Sequence, residues 1–481
     1  MTTLDGWKTV GIVIALCAVT TTPLTAQTFT TIASFPYYPG APEFVSLVQG
    51  TDGGLYGTTI SEGEGGTIFR LGTDGTLSIV YTFCSLPNCA DGTLPYSGLI
   101  VGTDGNLYGV ASGSGAYHAG TVFRLTLAGS LTTLYNFCPQ GYPCIDGSGP
   151  LGALVEGTDG SFYGTTGSGG AYAHGSVFRI TSAGALTTLH SFCAQGNPCP
   201  DGFSPEAALT EGNDGKFYGS TFGGGGNADA GTLFKITRSG VFTTLWNFSQ
   251  DFAGSGPAAS LVQLGDGKFY GTTTGRPNNF GTIFSVTKDG RLVVLYTFCP
   301  QGGCPFGGGP SAPLALGTDG KLYGTTVGGG SMTCGSAGCG TIFQAAKGKF
   351  KTLYDFCPQN GCLDGMHPIG GLTQGTNGVF YGTTPSGGIY GGGTAFSLDM
   401  GLGPFVTFAR GAGRVGQTGP ILGQGFTGTT SVLLNGTPAS FTVVSDTLIK
   451  AMVPAGATTG YVTVTTPSGT LTSNVPFHVL K

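Results

Sequence analysis

The chain has 481 residues, including 92 glycines and 27 prolines, with 9% charged residues and a formal charge of −5. That length exceeds one ordinary core, and 40% apolar residues argue against a disordered chain. No Lys/Arg cluster or basic stripe appears, which excludes the electrostatics of a nucleic-acid partner.

The N-terminus reads as an export signal over residues 1–26. Lys8 precedes the apolar run Val10 to Val19, and PLTAQ offers a small-residue cleavage site after Ala26. The run is too short to span a bilayer. Cys17 follows Leu16, where a lipidated leader would carry a small residue. The expected location is secreted, periplasmic or at a bacterial cell surface, with no transmembrane segment in the mature chain and with disulfides able to persist.

From residue 27 to about 400 one phrase returns seven times: LYGTT, LYGVA, FYGTT, FYGST, FYGTT, LYGTT, FYGTT. Its tyrosines are Tyr56, Tyr108, Tyr163, Tyr218, Tyr270, Tyr323 and Tyr381, spaced 52 to 58 residues apart. A period near 50 built from β-type residues predicts a propeller or a β-solenoid. Within the third period, residues 153–157 predict strand a, Ser161 to Thr166 strand b, Ser176 to Thr181 strand c and Ala185 to Phe192 strand d. DG and AG turns supply the positive φ that tight hairpins need. No sustained 3.6-residue period is present, so helix should be nearly absent. Four strands repeated seven times predict a seven-bladed β-propeller.

The phrasing resembles that of NHL-type propellers. That likeness implies that strand a lines the central channel and strand d forms the outer edge. The seventh period then lacks a strand d. Thr28 to Phe35 (TFTTIASF) matches VFTTLWNF at 241–248 and should close the ring, with PFVTF at 404–408 as the rival. The tight turns fall on one face and the long b–c and d–a loops on the other, where binding residues usually sit.

The mature chain carries 12 cysteines. Five pairs occupy d–a loops: Cys84 and Cys89, Cys138 and Cys144, Cys193 and Cys199, Cys299 and Cys304, Cys357 and Cys362. Cys334 and Cys339 sit in a b–c loop. Two d-type strands lack both cysteines, at SFPYYPG and NFSQDFAG, and loss in pairs is what local disulfides predict. A metal site would need two pairs to converge, and the pairs are expected on different blades. The C-x4-C and C-x5-C spacings also differ from redox motifs. Such rings would stiffen glycine-rich loops for binding or guard them against proteases.

No HExxH, GxSxG or P-loop is present. His118 and His174 occupy near-equivalent b–c positions and could share a metal, though surface decoration is the simpler reading. Asp52, Asp104, Asp159, Asp214, Asp266 and Asp319, with Asn377, fit Asx turns. Asp91, Asp146, Asp201 and Asp364 follow the second insert cysteine. They could hold Ca²⁺, but turn roles suffice, and no cofactor is otherwise called for. Glu156 and Glu211 end neighbouring a strands and could face the channel. The equivalent Gln49, Val101, Gln263, Leu316 and Gln374 make a poor metal cage.

Residues 404–481 lose the period. SVLLNG (431–436), SDTLIKAMVPAG (445–456) and GYVTVTTPSG resemble the IPT/TIG family, which implies an immunoglobulin-like β-sandwich used as a spacer or interaction module. VEGTDGSFYGTTGSGGAYAHGSVFRIT resembles the GloVer tandem repeat of secreted bacterial proteins, which implies an envelope or secreted protein and no particular activity. The function expected is a non-enzymatic binding or adhesion scaffold. It would present Tyr117, His118, Tyr172, His174, Asn227, Arg276, Asn278, Asn279 and Tyr390 to an extracellular glycan or protein surface. The alternatives are a hydrolase or lyase acting in the channel, and a purely structural envelope component.

Overall fold

The structure is a computed structural model. It describes residues 27–36, 41–42, 46–60, 65–226, 229–249, 254–275, 280–299, 304, 306–346 and 348–480. The export signal, Asn227, Arg276, Asn278 and Asn279 lie outside them. Among the described residues there is no α-helix, only two single 3-10 turns at Pro87–Cys89 and Met332–Cys334. No helix there is long and apolar enough to cross a membrane.

Seven sheets of four antiparallel strands follow the sequence repeat, a propeller-like all-β architecture. The third is representative: Val155–Glu156, Phe162–Thr166, Ser176–Ile180 and Leu186–Ser191 pair in chain order. Strand a is shorter than expected, only two residues. The seventh sheet takes its outer strand from Thr28–Pro36, which pairs antiparallel with Gly391–Asp399 from Thr28↔Asp399 to Pro36↔Gly391. The rival segment goes elsewhere: Thr407–Phe408 pairs with Thr418–Leu422 in the C-terminal region.

The YGTT phrase works as one packing device. Its tyrosine hydroxyl donates to the aspartate of the preceding DG turn, at 3.0 Å for Tyr163 to Asp159 and 2.8 Å for Tyr108 to Asp104. Burial pushes the pKa of these phenols up, and the carboxylate adds to the shift. The glycine makes room for a phenylalanine of strand c: a Cβ on Gly164 would meet Phe178 Cζ at 2.6 Å and Leu154 Cδ2 at 3.0 Å. The first threonine ties its sheet to the next, as Thr165 Oγ1 donates to Ala207 O at 3.2 Å. The second bonds the start of strand c, with Thr166 Oγ1 2.9 Å from Ser176 Oγ. Tyr163 also stacks on Phe217 of the next sheet, ring centroids 4.0 Å apart. A motif that meets five needs at once tolerates few substitutions, which accounts for its recurrence.

Residues 405–480 form two four-stranded sheets, Thr407–Phe408 with 418–422, 448–452 and 441–445, and 437–438 with 431–434, 462–466 and 469–472. A parallel pair, Ala412–Arg414 with His478–Leu480, joins the chain ends. Val406, Phe426, Ile449 and Val464 fill the core between them, all fully buried.

Candidate functional site

The C-terminal region lies against the DG-turn side of the repeats. Thr447 Oγ1 donates to Thr51 O at 2.8 Å, Phe405 N donates to Thr376 O at 2.9 Å, and Arg410 Nη1 lies 3.6 Å from Glu156 Oε1. A cleft of about 550 Å³ remains between the turns at Leu264–Gly265 and Leu316–Gly320 and the segment Ser473–Pro476.

The acidic residues on this side are committed to structure. Glu156 accepts from Thr103 N at 2.8 Å and Thr103 Oγ1 at 2.7 Å, on the preceding sheet. Glu211 accepts the same pair from Thr158, both at 3.0 Å, and is ion-paired with Arg238. Gln263 binds Asn213 N, Gln374 binds Thr318 N, and Gln49 binds Thr376 N. Glu156 and Glu211 are therefore held by the neighbouring turns and do not stand free as carboxylates. A side chain ending strand a reaches the orphan turn N–H next door, and glutamine does so as well as glutamate, which is why the two alternate.

On the insert side, six disulfides join the expected pairs. Cys84, Cys89, Cys138, Cys144, Cys193, Cys199, Cys299, Cys357 and Cys362 all have positive φ, so these loops are wound more tightly than non-glycine residues ordinarily allow. The trailing aspartates brace them. Asp146 accepts from Tyr135 Oη at 2.9 Å and Cys138 N at 3.0 Å; Asp364 accepts from Tyr354 Oη at 2.8 Å and Cys357 N at 2.9 Å. His190 replaces the tyrosine in the third repeat, with Nε2 2.9 Å from Asp201. Asp91 is fully buried and binds Tyr81 Oη at 2.8 Å.

One premise of the sequence reading is wrong. Two cysteine pairs do converge: the sulfurs of Cys334, Cys339, Cys357 and Cys362 all lie within 4.8 Å of one another. They belong to one repeat. Strands c and d are antiparallel, so the loop entering c at Thr341 meets the insert leaving d at Asp355. By the same geometry exposed His174 lies within 4.8 Å of Cys193 and Cys199. No cluster of metal-ligating side chains among the described residues joins His174 to His118, which is exposed on the previous repeat. Tyr117, Tyr172 and Tyr390 are about half exposed or more on separate b–c loops, and no ring pair among the described residues links them.

Sequence reasoning missed Glu206. It follows Pro205 in the segment that leads into strand a, at the position held in other repeats by Tyr96, Leu151, Ala258, Ser311 and Ile369. Among the described residues that register carries no other charge. Burial raises its pKa, and its carboxylate has no hydrogen-bond or ion-pair partner there. In the sequence a glutamate follows this proline twice, as Glu43 after Pro42 and as Glu206 after Pro205.

Three solved structures of similar fold are an X-ray structure described as a proposed gluconolactonase, a proposed 6-phosphogluconolactonase from Bacteroides uniformis, and a luciferin-regenerating enzyme. Identities are 10%, 14% and 13%, and TM-scores 0.39, 0.40 and 0.39. The matches cover 79%, 64% and 79% of this chain and 94%, 83% and 98% of those chains. All three are described as enzymes, which runs against the expectation of a non-enzymatic scaffold. At such TM-scores they assign no activity to this chain. No curated protein matches the sequence. The IPT/TIG domain model matches residues 411–479. The Gloeobacter/Verrucomicrobia repeat model matches residues 17–227, 142–330 and 231–437, and the chain belongs to that repeat family.

Proposed function

We propose that the chain is an exported hydrolase or lyase that works where the a strands converge, with Glu206 as its general acid or base. The observation that carries this reading is the unpartnered, half-buried Glu206 carboxylate, whose pKa burial raises. A carboxyl group whose pKa burial raises is better suited to proton transfer than a solvated one. The organisation we infer is an export signal over 1–26, a seven-bladed propeller over 27–400 and an immunoglobulin-like sandwich over 404–481. Supporting a closed ring are the Thr28–Pro36 pairing and three bonds from the seventh sheet to the first: Gly371 N to Ser46 Oγ, Thr373 Oγ1 to Leu47 O, and Thr376 N to Gln49 Oε1. Supporting an inner position for strand a is its bonding from sheet to sheet, as in Thr210 Oγ1 to Leu261 O. In this arrangement the sandwich sits on the turn side, the insert side stays open, and Tyr117, His118, Tyr172, His174 and Tyr390 lie on loops that rim the open mouth. Six disulfides are consistent with an extracellular or envelope protein.

The test is a panel of lactones, carboxylic esters and polyuronides, with Glu206→Gln as the paired variant and circular dichroism as the check on fold. Turnover by the native chain that falls at least about a hundredfold in E206Q supports the reading. Activity unchanged in E206Q, or absent from the whole panel, overturns it.

A further inference from the structure

We propose that Cys334, Cys339, Cys357 and Cys362 form a binding site for a soft divalent cation of the zinc type once their two disulfides are reduced. Cys334 Sγ and Cys362 Sγ, from different pairs, are already 4.0 Å apart. A tetrahedral zinc tetrathiolate with bonds of about 2.3 Å has sulfur–sulfur edges of about 3.8 Å. The quartet thus sits near that geometry across the pairs, and cleavage of the disulfides frees the bonded sulfurs to separate to the same distance. Cys339 and Cys357 are buried, while Cys334 and Cys362 are partly exposed and leave an entry path.

The surroundings suit a metal centre. Met366 Sδ lies 3.6 Å from Cys334 Sγ and adds a soft, polarisable wall. Thr333 Oγ1 lies 3.2 Å from Cys339 Sγ, the kind of outer contact that orients a ligand. The two loops are also held together by bonds that do not involve sulfur. Ser331 Oγ donates to Cys357 O at 2.8 Å, Thr333 Oγ1 donates to the same oxygen at 2.6 Å, and His367 N donates to Cys339 O at 2.7 Å. Reduction therefore leaves the four thiols facing one another. Among the described residues no other cluster offers four sulfurs; the one at His174 offers two.

The chemistry balances with a phosphine reductant and water. Each disulfide accepts two electrons and two protons, giving two thiols, while phosphorus takes an oxygen from water and becomes a phosphine oxide. Metal binding then releases the thiol protons, so uptake strengthens as pH rises.

The experiment uses the full chain, reduced by a phosphine under anaerobic conditions and titrated with Co²⁺ and then Zn²⁺. One Co²⁺ per chain should bind, with the visible absorption of a tetrahedral cobalt thiolate, and Zn²⁺ should displace it. Cys334→Ser and Cys362→Ser should each weaken binding at least about tenfold. The double variant C84S/C89S should bind as the native chain does, and the oxidised protein should show no cobalt thiolate absorption. No such absorption in the reduced, folded chain overturns the proposal, as does absorption that survives C334S. Circular dichroism covers the remaining case: a chain that unfolds on reduction and is not restored by Zn²⁺ overturns it too.

Discussion

The turn side and the insert side of the repeats use the same residue types to different ends. On the turn side every repeat solves the same problem in the same way: a tyrosine bonds a turn Asp or Asn, and in most repeats a Glu or Gln bonds the next turn. On the insert side the bracing aspartates also recur, but among the described residues two features occur in one repeat each: Glu206 and the sulfur quartet. Chemistry that recurs in every repeat is consumed by the scaffold. Chemistry that appears in one repeat has no scaffold role to explain it, and a functional site is best sought there.

The largest effect expected from breaking the repeated side is at the phrase glycine. Gly324→Ala would place a Cβ 2.4 Å from Phe343 Cζ, against a ring fixed between two sheets. Overpacking of this kind costs about 1–3 kcal/mol, read as a lowered denaturation midpoint. Gly141→Ala is the matched control on the insert side, since nothing lies within 4 Å of its Cβ; only its φ of 76° opposes the change, and the loss should be smaller.

Removing one staple comes next. Cys138→Ser with Cys144→Ser opens a ring closed across a sequence separation of 6 and should cost about 2 kcal/mol in the chain-entropy model, measured by chemical denaturation. A loss well beyond that would mean that the tight insert also organises its neighbours. Tyr163→Phe follows, removing one hydrogen bond to Asp159, which keeps Arg179 at 3.1 Å. The expected loss is about 1–2 kcal/mol. The corresponding Tyr381→Phe should cost less, because Tyr381 is bonded to neutral Asn377.

The smallest effect per residue is titration, sharpened by repetition. Burial pushes the phenols of Tyr56, Tyr81 and Tyr270 up to about 12. Folding favours the neutral phenol, so its stabilisation is complete below the unfolded value near 10 and is lost as pH rises through about 12. Unfolding should therefore sharpen above about pH 10, with tyrosinate absorbance appearing together with loss of β-sheet signal. Tyrosinate appearing well before unfolding would mean that the hydroxyl bonds contribute little.

Much of the fold was legible in the sequence because its signals are local. The DG turn, the YGTT strand and the paired loss of cysteines each depend on neighbours within a few residues. Thr28 to Phe35 could be matched to a d strand by its alternation alone. The site was far less legible. Glu156 and Glu211 look like channel carboxylates until the orphan N–H groups of Thr103 and Thr158 are found beside them, 53 residues away. His118 and His174 look like a pair, yet His174 faces the next insert.

What the sequence determined by itself is the repeat, its four-strand phase, the cysteine partners and the change of character near residue 404, because hydrophobic alternation and turn chemistry are set over a few residues. What only the tertiary structure decided is which groups meet. Antiparallel pairing of strands c and d brings two cysteine loops of one repeat together, packing of the C-terminal sandwich covers the turn side, and burial without a partner singles out Glu206. Each of these depends on distances between segments far apart in the chain, which local patterning does not encode.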